Sequence, residues 1–226
     1  MNQVTSTVRI WDLPTRLCHV LLVICVVGLL VTGQLGGEAM ALHFRLGYGV
    51  LTLVLFRLVW GVVGGHWSRF ANFVPSLSQL RAYLTTLPRH PHPFAIGHNP
   101  LGALSVIAML SVLLLQVFTG FMSDDEISVS GPWTTWVPNA WVELATRYHT
   151  EIGKLLLIAL VVLHLCAVLF HKFVQRDDLI TPMITGDKTL APTIQPSRDT
   201  ASSRAFALSI FVGCGYAVYR LIQLGN

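Results

Sequence analysis

Charge is what this sequence has least of. Lysine, arginine, aspartate and glutamate make up 12% of its 226 residues, against about 25% in soluble domains. More than half of the chain, 53%, is hydrophobic. A water-solvated domain of useful size is excluded, and one membrane domain is the expectation. The net charge of +4 is spread through the loops rather than gathered in a patch, which excludes a nucleic-acid footprint. Cysteine is also scarce. Cys18, Cys25, Cys166 and Cys214 each lie inside or beside an apolar run, so no disulfide framework is encoded and packing is their expected role. The sequence has neither the C-x-x-C-H of covalent haem attachment nor the H-E-x-x-H of a zinc site. It also lacks an internal inverted repeat, which argues against a transporter.

What it has instead is long apolar runs. They extend over Leu17 to Gly33, Phe44 to Val63, Pro100 to Met122, Tyr148 to Val174 and, more briefly, Ala205 to Ile222. Each approaches or exceeds the roughly 20 residues that cross the hydrocarbon of a bilayer. Five spanning helices are therefore expected. The first run has the basic start of a signal peptide, but it is long and poorly followed by a cleavage site, so a retained anchor is expected.

Basic residues set the orientation. Arg9 and Arg16 precede the first span, Arg69, Arg81 and Arg89 follow the second, and Lys172, Arg176, Lys188, Arg198 and Arg204 follow the fourth. The loop after the third span has no base but carries Asp124, Asp125, Glu126 and Glu143. This pattern places the N-terminus in the cytoplasm of a bacterial inner membrane and the acidic loop outside. Five spans then put the C-terminus outside.

Two loops are more than connectors. Leu77, Leu80, Tyr83, Leu84 and Leu87 recur at helical spacing and predict an amphipathic helix near 76–87 on the inner membrane surface. Trp133, Trp136 and Trp141 suit the interface belt of the outer leaflet, or a docking surface for a periplasmic protein. The expected domains are 1–190, a linker over 191–204 and an added C-terminal helix over 205–226. In that helix Gly213 and Gly215 would support contact with another subunit, including a homo-oligomer.

The chain holds nine histidines. An imidazole beside hydrocarbon is costly without a partner. His19 lies one turn inside the inner end of the first span. His43 opens the second span and His149 the fourth, both at the outer end. His164 lies deeper in the fourth span. Along a straight helix, His149 and His164 would be about 22 Å apart along the axis and about 60° apart around it. His43 matches His149 in depth, and His19 matches His164 less closely. Two histidine pairs would make two bis-imidazole sites, which suit haem b better than zinc. His171, seven residues beyond His164, shares its face, so spacing leaves the choice between them open. His98, next to Asn99-Pro100, reads first as a residue at a helix start, with a ligand or propionate role as the alternative.

Gly47 and Gly153 follow His43 and His149 at i+4 and would let a porphyrin lie against the backbone. The alternative is ordinary helix packing. Arg16 and Arg57 toward the inner end, and Arg45 and Arg147 toward the outer, could pair with propionates or snorkel to the interface.

The segments WDLPTRLCHV, HFRLGYGVLTLVLFRLVWGVVG, RFANFV, GHNPLGAL, FTGFMSDDE, RYHTEIGKLLLIALVVLHL and FVQRDDLITPMITGDK occur in this order between Val8 and Lys188. Together they resemble the bacterial cytochrome b-561 family, which includes the cytochrome b subunits of nickel–iron hydrogenases. The resemblance implies an all-α integral membrane fold with a four-helix bundle holding two haem b groups. It implies the ligands His19, His43, His149 and His164, and so favours His164 over His171. It also implies electron transfer between membrane quinone, ubiquinone or menaquinone, and a periplasmic c-type cytochrome or hydrogenase-like enzyme. The fifth helix departs from the hydrogenase subunits and carries none of these histidines. Arg16, Arg57, Arg69 and His171 are candidates for an inner quinone site. The rival readings are a self-sufficient oxidoreductase passing electrons from a small species such as superoxide to quinone, and a haem-free transporter or scaffold.

Overall fold

The computed structural model describes residues 6–86, 96–125, 129–190 and 193–224. Leu87, Arg89, His90, His92 and Glu126 lie outside the described residues. Strand β1 (Ser6–Arg9) leads into helix α1 (Leu13–Leu35). Asp12 caps α1: its carboxylate accepts the Thr15 amide at 2.8 Å, and its carbonyl accepts the Arg16 amide. A tight turn follows at Gly36 and Gly37, with φ of 63° and 52°. This left-handed conformation favours glycine, and it lets α2 (Ala39–Val63) begin five residues before the expected span.

Next come the short α3 (Phe70–Phe73) and α4 (Leu77–Thr86). Leu77 and Leu84 on α4 are exposed apolar residues, in keeping with the amphipathic pattern. Asn99 caps α5 (Pro100–Phe121) through its Oδ1 on the Gly102 amide at 2.6 Å, with Pro100 in the first turn. Helix α6 (Asn139–Arg147), a π-helical turn (Tyr148–Gly153) and α7 (Lys154–Phe173) form one helical run. The chain closes with α8 (Ile180–Thr185), strand β2 (Asp187–Leu190) and α9 (Ala201–Leu224). Five helical runs (α1, α2, α5, α6–α7 and α9) are long and apolar enough to cross a membrane. Exposed apolar residues along them, such as Ile24, Leu163, Leu165 and Leu208, form surfaces suited to lipid. The protein is an all-α multi-pass membrane protein.

The chain divides into two compact units. One comprises Met1–Leu17, Leu58–Ala108 and Val162–Leu208. Its centre is Val8, Ile10 and Trp11, packed with Trp67, Met183 and Ile194. Strands β1 and β2 pair antiparallel, Ser6 opposite Leu190 and Arg9 opposite Asp187. The ribbon joins segments far apart in the sequence, so no local pattern announces it. Asp12 is fully buried and accepts hydrogen bonds from Trp60 Nε1 at 3.1 Å and Ser68 Oγ at 2.7 Å.

The other unit comprises Cys18–Arg57, Met109–Val161 and Ser209–Asn226. Here Phe211 of α9 meets Phe56 of α2. A Cβ on Gly215 would stand 3.7 Å from Thr52, and nothing lies within 4 Å of one on Gly213. Trp133 packs on Phe121, with ring centres 5.0 Å apart, and its indole N–H donates to the Leu221 carbonyl. Trp136 and Trp141 are more than half exposed.

Candidate functional site

Two of the predicted histidines meet inside the second unit. His43 stands in the second turn of α2, and His149 is the second residue of the π turn. Their ring centres are 6.1 Å apart and their planes cross at 80°. Neighbouring helices hold the Nδ1 atom of each ring. The single proton of the Thr32 hydroxyl goes to the Gly28 carbonyl at 2.7 Å, so Thr32 Oγ1 accepts from His43 Nδ1–H at 3.1 Å. The Gln116 carbonyl can only accept, so it takes His149 Nδ1–H at 2.8 Å. In the neutral ring, a proton held on Nδ1 leaves the lone pair on Nε2. An imidazole whose N–H is held in this way has a fixed orientation and a more basic ligating nitrogen.

The π turn is the local device that sets His149. A single π turn inside an α-helix takes its carbonyls out of the α register and marks functional positions. Here the Gln116 side-chain amide donates to the His149 carbonyl at 2.7 Å. Gln116 thus holds His149 twice, by backbone to the ring and by side chain to the main chain. The π turn also voids the straight-helix relation between His149 and His164, because its residues do not advance by the α-helical angle.

Two glycines outside the sequence-based expectation make room for the rings. A Cβ on Gly33 would stand 3.2 Å from His43 Cε1, and one on Gly120 would stand 2.8 Å from His149 Cε1. Each follows a threonine, Thr32 and Thr119, whose hydroxyl bonds back to its own helix. This repeated Thr-Gly step, together with the lone Gln116 inside an apolar run, is the signal that could have found them.

A cavity of about 240 Å³ is lined by both histidines, Gly33, Gly47, Gln116 and Gly120. Nothing lies within 4 Å of a Cβ on Gly47. A Cβ on Gly153 would meet the Gln116 side chain and Tyr148, and Gly153 is not part of the cavity lining. Among the described residues no three His, Cys, Asp or Glu side chains are grouped to hold a metal. A two-imidazole site is what remains. With metal–imidazole bonds of about 2.0 Å, two axial rings on one metal have centres about 6 Å apart. His43 and His149, with ring centres 6.1 Å apart, are the residues that would hold a haem iron here.

The other predicted residues are distributed as follows. Arg45 and Arg147 are exposed, Arg147 lies 3.6 Å from Glu151, and neither lines the cavity. Arg57 is buried in α2. Arg16 donates to the Ile184 carbonyl at the end of α8. His19 is half-buried in the second unit, and His164 is half-buried in the first. Asn99 Oδ1 is engaged in capping α5, so Asn99 Nδ2 points outward and donates to His171 Nε2 at 3.0 Å. His98 lies among aromatic rings, 4.4 Å from Phe73 and 4.8 Å from Trp11.

Comparison with known proteins places the chain in a family. The family described as prokaryotic cytochrome b561 matches residues 10–186. A probable Ni/Fe-hydrogenase B-type cytochrome subunit of Bradyrhizobium diazoefficiens is 26% identical, over 80% of this chain and 86% of that protein. The probable Ni/Fe-hydrogenase 1 B-type cytochrome subunit of Escherichia coli K12 is 25% identical, over 78% and 88%. A similar subunit of Cupriavidus necator is 27% identical, over 80% and 86%. No solved structure matches the chain. The match over most of the length and the five apolar helices together make this chain a member of the prokaryotic cytochrome b561 family, a membrane cytochrome of b type that works in electron transfer.

Proposed function

We propose that the chain is a di-haem cytochrome that carries electrons between the membrane quinone pool and a redox partner in the periplasm, either a c-type cytochrome or a hydrogenase-like enzyme. The observation that carries this reading is the His43–His149 pair, with both Nδ1–H groups held and both Nε2 lone pairs available. Bound haem would supply one-electron cycling between ferric and ferrous iron. The protein orients the two imidazoles, fixes their tautomers and surrounds the site with apolar side chains such as Leu29, Val117 and Leu157.

His19 and His164 are proposed as the second axial pair. In support, the Nε2 lone pair of His171 is engaged by Asn99, and His98 is enclosed by aromatic rings, which leaves His164 the better ligand. The placement of basic residues supports an inner-membrane location with the N-terminus in the cytoplasm. The site would then lie toward the periplasmic face, next to the loop that bears Asp124 and Asp125, where a soluble partner could exchange electrons. The similarity to hydrogenase cytochrome subunits supports a partner of that class.

Haem content tests the reading. Pyridine haemochrome spectra of the purified protein should give two b haems per chain. Alanine at His43 or His149 should remove one haem, and alanine at His19 or His164 the other. A full complement after any one of these changes would remove that residue from the ligand set. Oxidation of the quinol-reduced protein by a soluble c-type cytochrome, or its reduction by a hydrogenase, would identify the class of partner.

A further inference from the structure

The cavity between His43 and His149 is lined by a single basic side chain among the described residues, Lys154. Lys154 is the first residue of α7, immediately after the π turn and five positions beyond His149. It is half-buried and lies in a run that is otherwise apolar up to His164. Side chains on a helix tilt toward its N-terminus, so this ammonium leans back toward the level of His149 and Thr150. Among the described residues no carboxylate lies within ion-pair distance of it. A cation inside a membrane span is costly, and it is tolerated where it meets a counter-charge or lines a functional cavity.

The other charges of the cavity are Asp124 and Asp125, near Thr146. They repel a second carboxylate. A porphyrin with carboxylate substituents is therefore attracted to Lys154 and repelled by the two aspartates, which selects one way round for the group held by the histidines.

Resting on the haem reading above, we infer that Lys154 is the counter-cation of this cavity, holding a carboxylate of the porphyrin bound between His43 and His149. This role was expected of Arg45 and Arg147, which are exposed and line no part of the cavity. The ammonium contributes a charge-assisted hydrogen bond to the bound group. A positive charge lining the cavity would also favour the reduced form of the group bound there.

The test uses purified holoprotein with Lys154→Met and Lys154→Arg, with His43→Ala identifying which haem belongs to this cavity. Two quantities are read: the rate of haem loss to a soluble haem-binding protein, and the midpoint potential from redox titration. Lys154→Met should release this haem about tenfold faster, the loss of one charge-assisted bond. It should also lower the midpoint potential of this haem and leave the other haem unchanged. Lys154→Arg should restore both quantities toward wild type. Unchanged release and potential in Lys154→Met, with wild-type haem content, would overturn the role of Lys154 alone. Wild-type protein that binds no haem would overturn the underlying reading as well.

Discussion

Among single residues, the contacts to the two histidine rings matter as much as the histidines. Thr32 accepts the His43 Nδ1 proton, and Thr32→Val removes that acceptor without much change in shape. Loss of such an outer partner typically weakens metal affinity by at least about tenfold. The expected result is weaker haem retention and a higher midpoint potential at this site, because the ligand becomes less basic. Gln116→Leu removes the donor to the His149 carbonyl and leaves a buried polar group unpaired, a cost of about 1–3 kcal/mol. Haem content at the His43–His149 site should fall and the reduced α-band should broaden. A normal band and normal content would reduce Gln116 to a packing residue. The sequence points to His43 and His149 through their place at the ends of apolar runs. It does not point to their second partners, because a backbone carbonyl or a threonine on another helix carries no spacing signal.

At the scale of elements, the five long apolar helices are the most legible features and the π turn the least. Asn99 before Pro100 is a start signal that the structure bears out with a hydrogen bond to the Gly102 amide, and the structure adds Asp12 as the cap of α1. Asp12 does more than cap. It gathers Thr15, Trp60 and Ser68 from separate segments of the first unit. Asp12→Ala should destabilise the protein by about 2–4 kcal/mol, combining a lost cap with buried donors left unpaired. Asp12→Asn, which keeps one acceptor oxygen, should cost roughly half of that on the same grounds. Thermal unfolding midpoints of the two variants measure this, and equal midpoints for Ala and wild type would dismiss the network. The π turn has no such signature in the residues Tyr148 to Gly153. It is held by Gln116 from α5, a residue 33 positions from His149.

At the scale of the whole molecule, the ends of the chain are tied together in the first unit. Arg9 of β1 bonds Asp187 of β2 at 2.6 Å and Asp199 at 2.7 Å, and Asp199 also pairs with Arg204 of α9 at 2.8 Å. The Asp199 side chain is 6% exposed. Its hydrogen bond from Arg204, with a further one from Arg9, lowers its pKa from 3.8 to about 2. A carboxylate depressed in the folded state stabilises that state above its unfolded pKa, and the contribution fades as pH falls toward the folded value. Asp199→Asn should therefore lower stability by about 2 kcal/mol between pH 5 and 7. The gap to wild type should narrow below about pH 4. A gap that is constant from pH 7 to pH 3 would mean that packing, not charge, carries the effect of Asp199.

What the sequence determined by itself follows from composition and local periodicity. Scarce charge and long apolar runs dictate membrane helices, because each span must satisfy its own backbone hydrogen bonds in lipid. Proline and the capping residues mark helix starts, because they act within one turn. Histidine at the ends of two runs, together with the b-561 motifs, predicts the ligand pair. The tertiary structure decided what depends on contact between distant segments. The pairing of β1 with β2 joins residues about 180 positions apart, beyond any local pattern. Among the described residues the lysine that lines the cavity is Lys154, and Arg45 and Arg147 do not line it, because a side chain's neighbours depend on how helices rotate against one another. The tautomers of His43 and His149 were decided in the same way, by oxygens that other helices bring to their rings.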